Sequence, residues 1–156
     1  MTTAETTHLS AVASASVRRL GPDVVAGLVR DGNAYHVARA AVREAAHRSS
    51  RVRFIQVAPP GLSADERADV DRATFRSALR ALHGLHPVPC TFEVLHGDPG
   101  QVLVRHSMDA ALLVVGRDLR PDGEDPVDAH DVARQCQEHA GCDVLIVFGD
   151  GSATTR

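Results

Sequence analysis

The chain has 156 residues, which is enough to bury the core of one domain but short for two. Apolar residues make up 44% of it and aromatic residues only 3%, so the core must consist mainly of Ala, Val and Leu. The net charge of -3 offers no electrostatic basis for binding nucleic acid, whose protein partners are usually basic.

The chain divides into a folded body and two tails. Residues 1–20 are rich in Thr, Ser and Ala without a regular apolar period, which predicts a flexible N-terminal tail that folding does not need. Gly21 and Pro22 then interrupt the chain. Residues 21–149 carry the periodic apolar segments of an α/β domain, and we interpret residues 150–156 as a C-terminal tail.

Strand-like and helix-like segments alternate through the body. Short apolar runs typical of buried strands occupy residues 23–29, 52–58, 90–96, 110–115 and 143–148. Between them, apolar residues recur at helical spacing over residues 34–48, 64–85, 102–106 and 132–140. The expected helix starts are Asn33 as an N-cap, a capping box of Ser63 and Glu66, and Asp98 followed by Pro99.

This alternation predicts a single, doubly wound, five-stranded parallel sheet with helices on both faces. Right-handed crossovers favour the strand order 3-2-1-4-5, which places a topological switch point between the first and fourth strands. Ligand sites of such sheets lie at this point. The candidate site is therefore the turn after Val29 together with the loop that follows Gly116, where the fourth strand is expected to stop.

Other features of the chain argue against several classes of protein. No run approaches the roughly 20 apolar residues of a membrane span, and the first residues lack the pattern of a signal peptide. We therefore expect a cytoplasmic protein without a membrane partner. The three cysteines have neither CxxC spacing nor an even count, which argues against a disulfide framework or a zinc site.

One interpretation of the acidic loop after Gly116 is that it forms a metal site. Asp128, His130, Asp131 and His139 are residue types that bind zinc or manganese. Helix capping by Asp131 and solvation of Asp128 explain the same residues without a metal, and we favour that explanation. No Ser-His-Asp, Cys-His or paired-carboxylate arrangement stands out at the end of a strand.

Two segments resemble the universal stress protein family. The first is LHGDPGQVLVRHSMDAALLVVG, similar to the family's strand, Gly, short helix and strand-Gly segment. The second is HAGCDVLIV, similar to its His-Ala-Pro-Cys-Pro-Val-Leu-Val-Val. The preceding Asp-Val-Ala-Arg aligns with the family's Ser-Val-Ser-Arg. The resemblance implies the sheet described above, a homodimer, and a stress or regulatory role, with some members binding ATP and others not.

The nucleotide motif of the ATP-binding members is largely missing from this chain. Those members carry Gly-x2-Gly-x9-Gly-Ser/Thr after the fourth strand and an Asp-Gly-Ser turn after the first. Gly116 matches the opening glycine, but the second glycine falls on Leu119 or Arg120 and the closing pair on His130 and Asp131. The first-strand aspartate falls on Val29 or on Asp31, depending on the alignment. The family-equivalent positions of the nucleotide site are Val29, Asp31, Gly97, Gly116, Arg117, His130 and Asp131.

We therefore expect a non-enzymatic regulatory homodimer that holds no cofactor and acts through an unknown protein partner. One alternative is an ATP-binding member with an atypical phosphate loop that hydrolyses ATP slowly, and another is a metal-dependent enzyme that uses the acidic loop. The last strand is apolar at the expected edge of the sheet, so we expect dimerisation there. The residues concerned are Val144, Leu145, Ile146 and Val147.

Overall fold

Helices and strands follow one another as the sequence predicts. The structure, a computed structural model, describes residues 21–28, 33–58, 61–85, 87–117 and 132–155. The strands are β1 (Gly21–Leu28), β2 (Ser50–Ala58), β3 (Cys90–His96), β4 (Leu112–Arg117), β5 (Asp143–Phe148) and β6 (Ala153–Thr155). The helices are α1 (Ala34–Arg48), α2 (Ala64–Leu82), α3 (Pro99–Ser107) and α4 (Val132–His139).

The described strands form one sheet in the order β3-β2-β1-β4-β5-β6. Strands β1 to β5 are mutually parallel, and β6 pairs antiparallel with β5. The predicted doubly wound sheet and its order 3-2-1-4-5 are therefore confirmed, with a sixth strand added at one edge. The switch point lies between β1 and β4, which are direct neighbours.

Helices cover both faces of the sheet, as predicted. One core cluster joins α1 and α2 to side chains such as Val24, Val52 and Phe54. The other joins α3 and α4 to side chains such as Val25 and Ile55, one residue further along the same strands. Because successive side chains of a strand point to opposite faces, these alternating residues place the two pairs of helices on opposite sides of the sheet.

Helix α1 lies close against the sheet because its inward stripe consists of small side chains. The buried residues of this helix are Ala34, Val37, Ala38, Ala41, Val42 and Ala45. Methyl groups at helical spacing let the helix backbone approach the strands, so the helix packs without room for large side chains. None of the described helices has the combination of length and apolar character that crossing a membrane requires.

Two of the predicted helix starts are confirmed by their hydrogen bonds. Ser63 Oγ accepts from the Glu66 backbone N–H at 3.2 Å, and the Glu66 carboxylate accepts from the Ser63 N–H at 3.0 Å. Asp98 accepts from the Gln101 N–H at 3.0 Å, with Pro99 in the first turn. Helix α2 ends at Leu82, three residues before the expected end.

The C-terminal segment differs from the expected tail. The Asp150 carboxylate accepts hydrogen bonds from the Ser152 N–H at 2.9 Å and the Ser152 hydroxyl at 2.6 Å. Gly151 adopts the positive φ of 87° that this tight reversal requires. The chain therefore turns back, and β6 pairs with β5 across Ile146 and Thr154.

The added strand changes the premise of the predicted dimer. We expected β5 to be the edge of the sheet, but this premise is wrong because β6 occupies that position. The side chains of β5 are also buried within this chain: Val144 is 3%, Leu145 8%, Ile146 1% and Val147 1% exposed. Dimerisation itself stays a prediction.

Candidate functional site at the ends of β1 and β4

The candidate site lies where β1 and β4 end side by side. Their pairing runs in parallel register from Val24 opposite Leu112 to Gly27 opposite Val115. The carboxyl ends of the two strands consequently reach the same edge of the sheet. The start of α1 meets this edge, and the described part of the site is built from α1, β4 and the turn after β5.

Asn33 joins the start of α1 to the end of β4. Its side chain is 3% exposed, and its Nδ2 donates to the backbone carbonyl of Arg117 at 3.1 Å. Its own carbonyl accepts from the Val37 N–H at 2.9 Å and so begins the helix. Asn33 does occupy the N-cap position, but the predicted side-chain cap is wrong. Its αR backbone (φ -89°, ψ -9°) differs from the extended conformation usual for N-caps, and its side chain bonds to β4 instead.

Gly116 lies against α1 inside β4. The strand does not stop at this glycine, as we expected, but continues to Arg117, because both residues pair with β5. A Cβ built at Gly116 would lie 3.1 Å from Asn33 Cβ and 3.2 Å from Val37 Cγ2. Both distances are shorter than ordinary carbon contacts. Glycine at this position therefore has a packing explanation, since a side chain would push α1 away from the sheet.

The turn after β5 approaches the first turn of α1. A Cβ built at Gly149 would lie 3.3 Å from Asn33 Oδ1, and one at Gly151 would lie 3.2 Å from His36 Nδ1. The pKa of Asp150 is lowered mainly by the hydrogen bonds from Ser152, and the charge of His36 lowers it further. A carboxylate and an imidazole thus stand near the N-terminal turn of α1.

Sequence reasoning missed these last contributions to the site. His36 was not distinguished from the other histidines, and Asp150 was assigned to a tail. The signal for the turn was the triplet Asp150, Gly151 and Ser152, a composition that favours a tight reversal after a strand.

The remaining predicted site residues are not brought together by the described structure. Gly97 follows β3, which β2 separates from β1, and a Cβ built there would lie 3.3 Å from Val102 Cγ2. Val29, Asp31, His130 and Asp131 lie outside the described residues.

The metal hypothesis rests on the same undescribed part of the chain. Within the described ranges, no group of three or more His, Cys, Asp or Glu side chains could hold a metal ion. Asp128, His130 and Asp131 lie outside those ranges, and His139 is on α4. What the described residues present is a buried amide at Asn33, with His36 and Asp150 beside it. This arrangement ties the strand ends, α1 and the C-terminal turn together by packing and hydrogen bonds.

The profile of the Universal stress protein family matches residues 24–147, which include β2 to β4, most of β1 and β5, and the four described helices. The chain belongs to this family. The match confirms the resemblance seen in the sequence. No curated protein matches the chain significantly.

Solved structures of the family share the fold. A universal stress protein in complex with cAMP is 20% identical, with a TM-score of 0.62 over 82% of this chain and 97% of that one. The universal stress protein from Archaeoglobus fulgidus is 22% identical, with a TM-score of 0.59 over 80% and 96%. A universal stress protein from Archaeoglobus fulgidus in complex with dAMP is 23% identical, with a TM-score of 0.58 over 80% and 95%. At these identities the similarity establishes the fold alone.

Proposed function

We propose that this universal stress protein is a non-enzymatic regulator that binds no ATP appreciably and acts through contacts with a protein partner. The observation that carries the proposal is the hydrogen bond from Asn33 to the Arg117 carbonyl, made by a buried side chain at the switch point. A nucleotide at this point needs space and free backbone groups between α1 and β4. Here Asn33 occupies that space, and Gly116 packs directly against it.

The sequence of the following loop supports the same proposal. Leu119 or Arg120, and His130, stand where the family motif has glycines, and Asp131 stands where it has Ser or Thr. A phosphate approaches a helix N-terminus closely only where side chains leave the backbone N–H groups accessible. A carboxylate about 5 Å from a phosphate costs on the order of 3 kcal/mol at an effective dielectric constant of about 20.

The second candidate is a nucleotide-binding member with an atypical loop. The structures that favour it are similar family members in complex with cAMP and with dAMP. Slow ATP hydrolysis belongs to this candidate. The two candidates differ in whether a purine nucleotide binds this chain at micromolar concentration, so one titration separates them.

The deciding experiment is calorimetric titration of the full chain with ATP and with cAMP, each with and without Mg²⁺. We expect dissociation constants above ~100 μM, which correspond to binding weaker than about 5.5 kcal/mol. Magnesium is included because it can bridge a carboxylate and a phosphate. Binding of either nucleotide at low micromolar concentration would overturn the proposal in favour of the second candidate.

A restored loop tests the reason for weak binding. The variant combines Leu119→Gly, His130→Gly and Asp131→Ser, and we expect it to bind ATP at least about tenfold more tightly than the wild type. The control is Asp69→Ser, which removes the same charge from an exposed position on α2 and should change nothing. If the restored loop gains no affinity, adding Asn33→Gly tests whether the Asn33 side chain is the remaining obstacle.

We also propose that the protein is a homodimer through the C-terminal edge of its sheet. The outermost strand, β6, has three residues, and all of them are exposed. Such a short strand is displaced more easily than a long one, and its loss would open the backbone edge of β5 to a second copy. Because the β5 side chains are buried in this chain, the backbone edge would provide the pairing.

Sedimentation of two chains tests this arrangement. We expect the full chain to form dimers at micromolar concentration, and a chain ending at Gly149 to dimerise more tightly because β6 no longer competes for β5. Monomers of both chains at this concentration would exclude pairing through β5. A dimer of the full chain that dissociates on truncation would place the interface on β6 itself.

A further inference from the structure

A cavity of about 410 Å³ lies between α2 and the sheet, on the face that α1 and α2 cover. Its walls come from the end of β1, from residues within β2 and β3, and from the middle of α2. Val94 on the outer strand is 41% exposed, so the cavity reaches the surface at that edge. Its volume falls within the range of small-molecule sites, about 300–1,000 Å³. The lining residues are Leu28, Phe54, Gln56, Asp71, Arg72, Phe75, Phe92, Glu93 and Val94.

The aromatic residues of this chain are concentrated around the cavity. The chain has four Phe residues and no Trp, and three of the four line this one space. Phe54 stacks on Phe92 with ring centroids 4.8 Å apart, and Phe75 meets Phe92 edge-on at 5.0 Å. A wall of rings in both orientations suits a flat aromatic molecule, which can stack on one ring and meet another by its edge.

The polar end of the cavity carries hydrogen-bond acceptors. Gln56 is 8% exposed, and its Nε2 donates to Asp71 Oδ1 at 2.8 Å. Among the described residues, this is the only side-chain hydrogen bond of Gln56. Its Oε1 is not among the buried atoms that lack a partner, so this oxygen is accessible as an acceptor. A ligand that shields it from water has to supply a donor in place of water, and a ligand N–H would do so. Asp71 and Arg72 both line the cavity, and their opposite charges favour neither an anionic nor a cationic ligand.

We propose that this cavity binds a neutral, flat aromatic molecule of one or two fused rings whose ring N–H donates to Gln56. The rings Phe54, Phe75 and Phe92 hold the flat faces and edges of the molecule. The amide of Gln56, fixed by Asp71, orients it. This is a site for a small heteroaromatic compound, separate from the nucleotide region at the ends of β1 and β4.

The position of the cavity makes it independent of the switch point. The nucleotide region lies between β1 and β4, whereas the cavity extends from β1 through β2 to β3 beneath α2. Leu28 borders the cavity at the end of β1, and the rest of the lining comes from β2, β3 and α2. Occupancy of the two sites can therefore be tested separately on the same protein.

The test uses indole as the probe, with 1-methylindole as its matched partner without the N–H. Because the chain has no Trp, the fluorescence of indole is readable without a protein indole background. We expect saturable binding of indole with a dissociation constant on the order of 100 μM, and binding of 1-methylindole weaker by about fivefold to tenfold. Absence of saturable indole binding up to about 5 mM would overturn the proposal.

Substitutions then place the probe in the cavity. Leu28→Phe extends a ring from the wall into the cavity and should weaken indole binding at least about tenfold, while Met108→Phe adds the same ring at a 56% exposed position and should not. Gln56→Leu keeps the volume but removes the acceptor, so indole and 1-methylindole should bind it equally. Unchanged indole affinity in Leu28→Phe, verified as folded by circular dichroism, would place the probe elsewhere and overturn the proposal.

A competition experiment separates this site from the nucleotide region. Excess ATP should leave indole binding unchanged, because the two regions lie on different parts of the sheet. Displacement of indole by ATP in proportion to ATP occupancy would overturn the independence of the cavity. The competition uses the restored-loop variant at an ATP concentration that its titration shows to occupy the nucleotide region, because ATP that is not bound can displace nothing.

Discussion

Two neighbouring regions of this sheet are packed in opposite ways. At the ends of β1 and β4, Asn33, Gly116 and the turn after β5 fill the space between strands and helix. Beneath α2, along β2 and β3, a cavity of about 410 Å³ stays open. Both regions lie under helices on one face of the same sheet. The difference therefore comes from the side chains that each helix presents to the sheet.

The inward stripes of α1 and α2 account for the difference. On α1 every buried residue is Ala or Val, and the helix backbone can approach the strands closely. On α2 the inward positions begin with Asp71 and Phe75, and only later reach the fully buried Ala78 and Ala81. Asp71 bonds to Gln56 across the gap, where an apolar side chain would have filled it. This chain thus fills one potential site of the sheet and leaves another open.

The largest expected effect on the free energy of unfolding comes from adding volume to the tightly packed contact between α1 and the sheet. Ala41 on α1 is 0% exposed, so Ala41→Leu must force the helix away from the strands, at a cost of about 3 kcal/mol. The matched control is Ala73→Leu on α2, where the side chain is exposed and the change should stay within about 0.5 kcal/mol. Urea unfolding of both variants measures the difference. Equal destabilisation would show that α1 is packed no more tightly than the exposed face of α2.

A second pair of variants compares a cavity wall with a closed core position. Leu113 is 0% exposed in the core under α3 and α4, and Leu113→Phe should cost about 2 kcal/mol by overpacking. Leu28→Phe adds the same volume beside the cavity, so its ring has space and the cost should stay below about 1 kcal/mol. The midpoints of urea unfolding decide between them. A cost for Leu28→Phe as large as that for Leu113→Phe would mean that the cavity cannot accept a ring.

Sequence reasoning predicted the fold well because the fold depends on patterns that lie within single segments. The alternation of apolar runs located all five parallel strands, and the Ser63–Glu66 pair located the start of α2. The strand order followed from the handedness of crossovers, which does not depend on individual side chains. The sixth strand was missed because a three-residue strand has too little pattern of its own and is defined by its pairing with β5.

The site was harder to predict because it depends on contacts between distant segments. The hydrogen bond from Asn33 to Arg117 joins residues 84 positions apart, and no local pattern indicates it. A capping role was the natural local interpretation of Asn33, but it ignored the neighbouring strand. The cavity was missed for the same reason: Phe54, Phe75 and Phe92 come from three elements, and only the assembled sheet brings them together.

The Asn33 contact itself gives the third prediction. Asn33→Ala removes the donor to the Arg117 carbonyl and leaves a gap at the switch point, so we expect a loss of about 1–2 kcal/mol in the free energy of unfolding. Gln101→Ala, at an exposed position on α3, is the matched amide control and should be nearly neutral. Urea unfolding measures both variants. If Asn33→Ala is also neutral, Asn33 does not hold the region closed, and its role in excluding a nucleotide has to be abandoned.

The smallest expected effect concerns a charged cluster on the opposite face of the sheet. Arg53 pairs with Glu93 at 2.8 Å, and its Nη2 also lies 3.3 Å from His106 Nδ1. Burial lowers the pKa of His106 below its ordinary value of 6.5, and the positive charge of Arg53 lowers it further, although Glu93 acts in the opposite direction. The folded protein therefore binds a proton at His106 less readily than the unfolded chain does.

The sign of the resulting pH dependence follows from that difference. The stabilising contribution of neutral His106 is fully present above about pH 6.5 and is lost as the pH falls through 6.5 toward the lower pKa of the folded state. We therefore expect an NMR titration midpoint of His106 below 6.5, which should rise in Arg53→Met as the neighbouring positive charge disappears. His106→Gln should make the fall in unfolding free energy between about pH 7 and pH 5 shallower, whereas His139→Gln, at a side chain 64% exposed, serves as the control and should not. A His106 midpoint that does not rise in Arg53→Met would show that burial and Arg105 lower the pKa without Arg53, and that the pair of Arg53 and Glu93 is too well solvated to influence its neighbour.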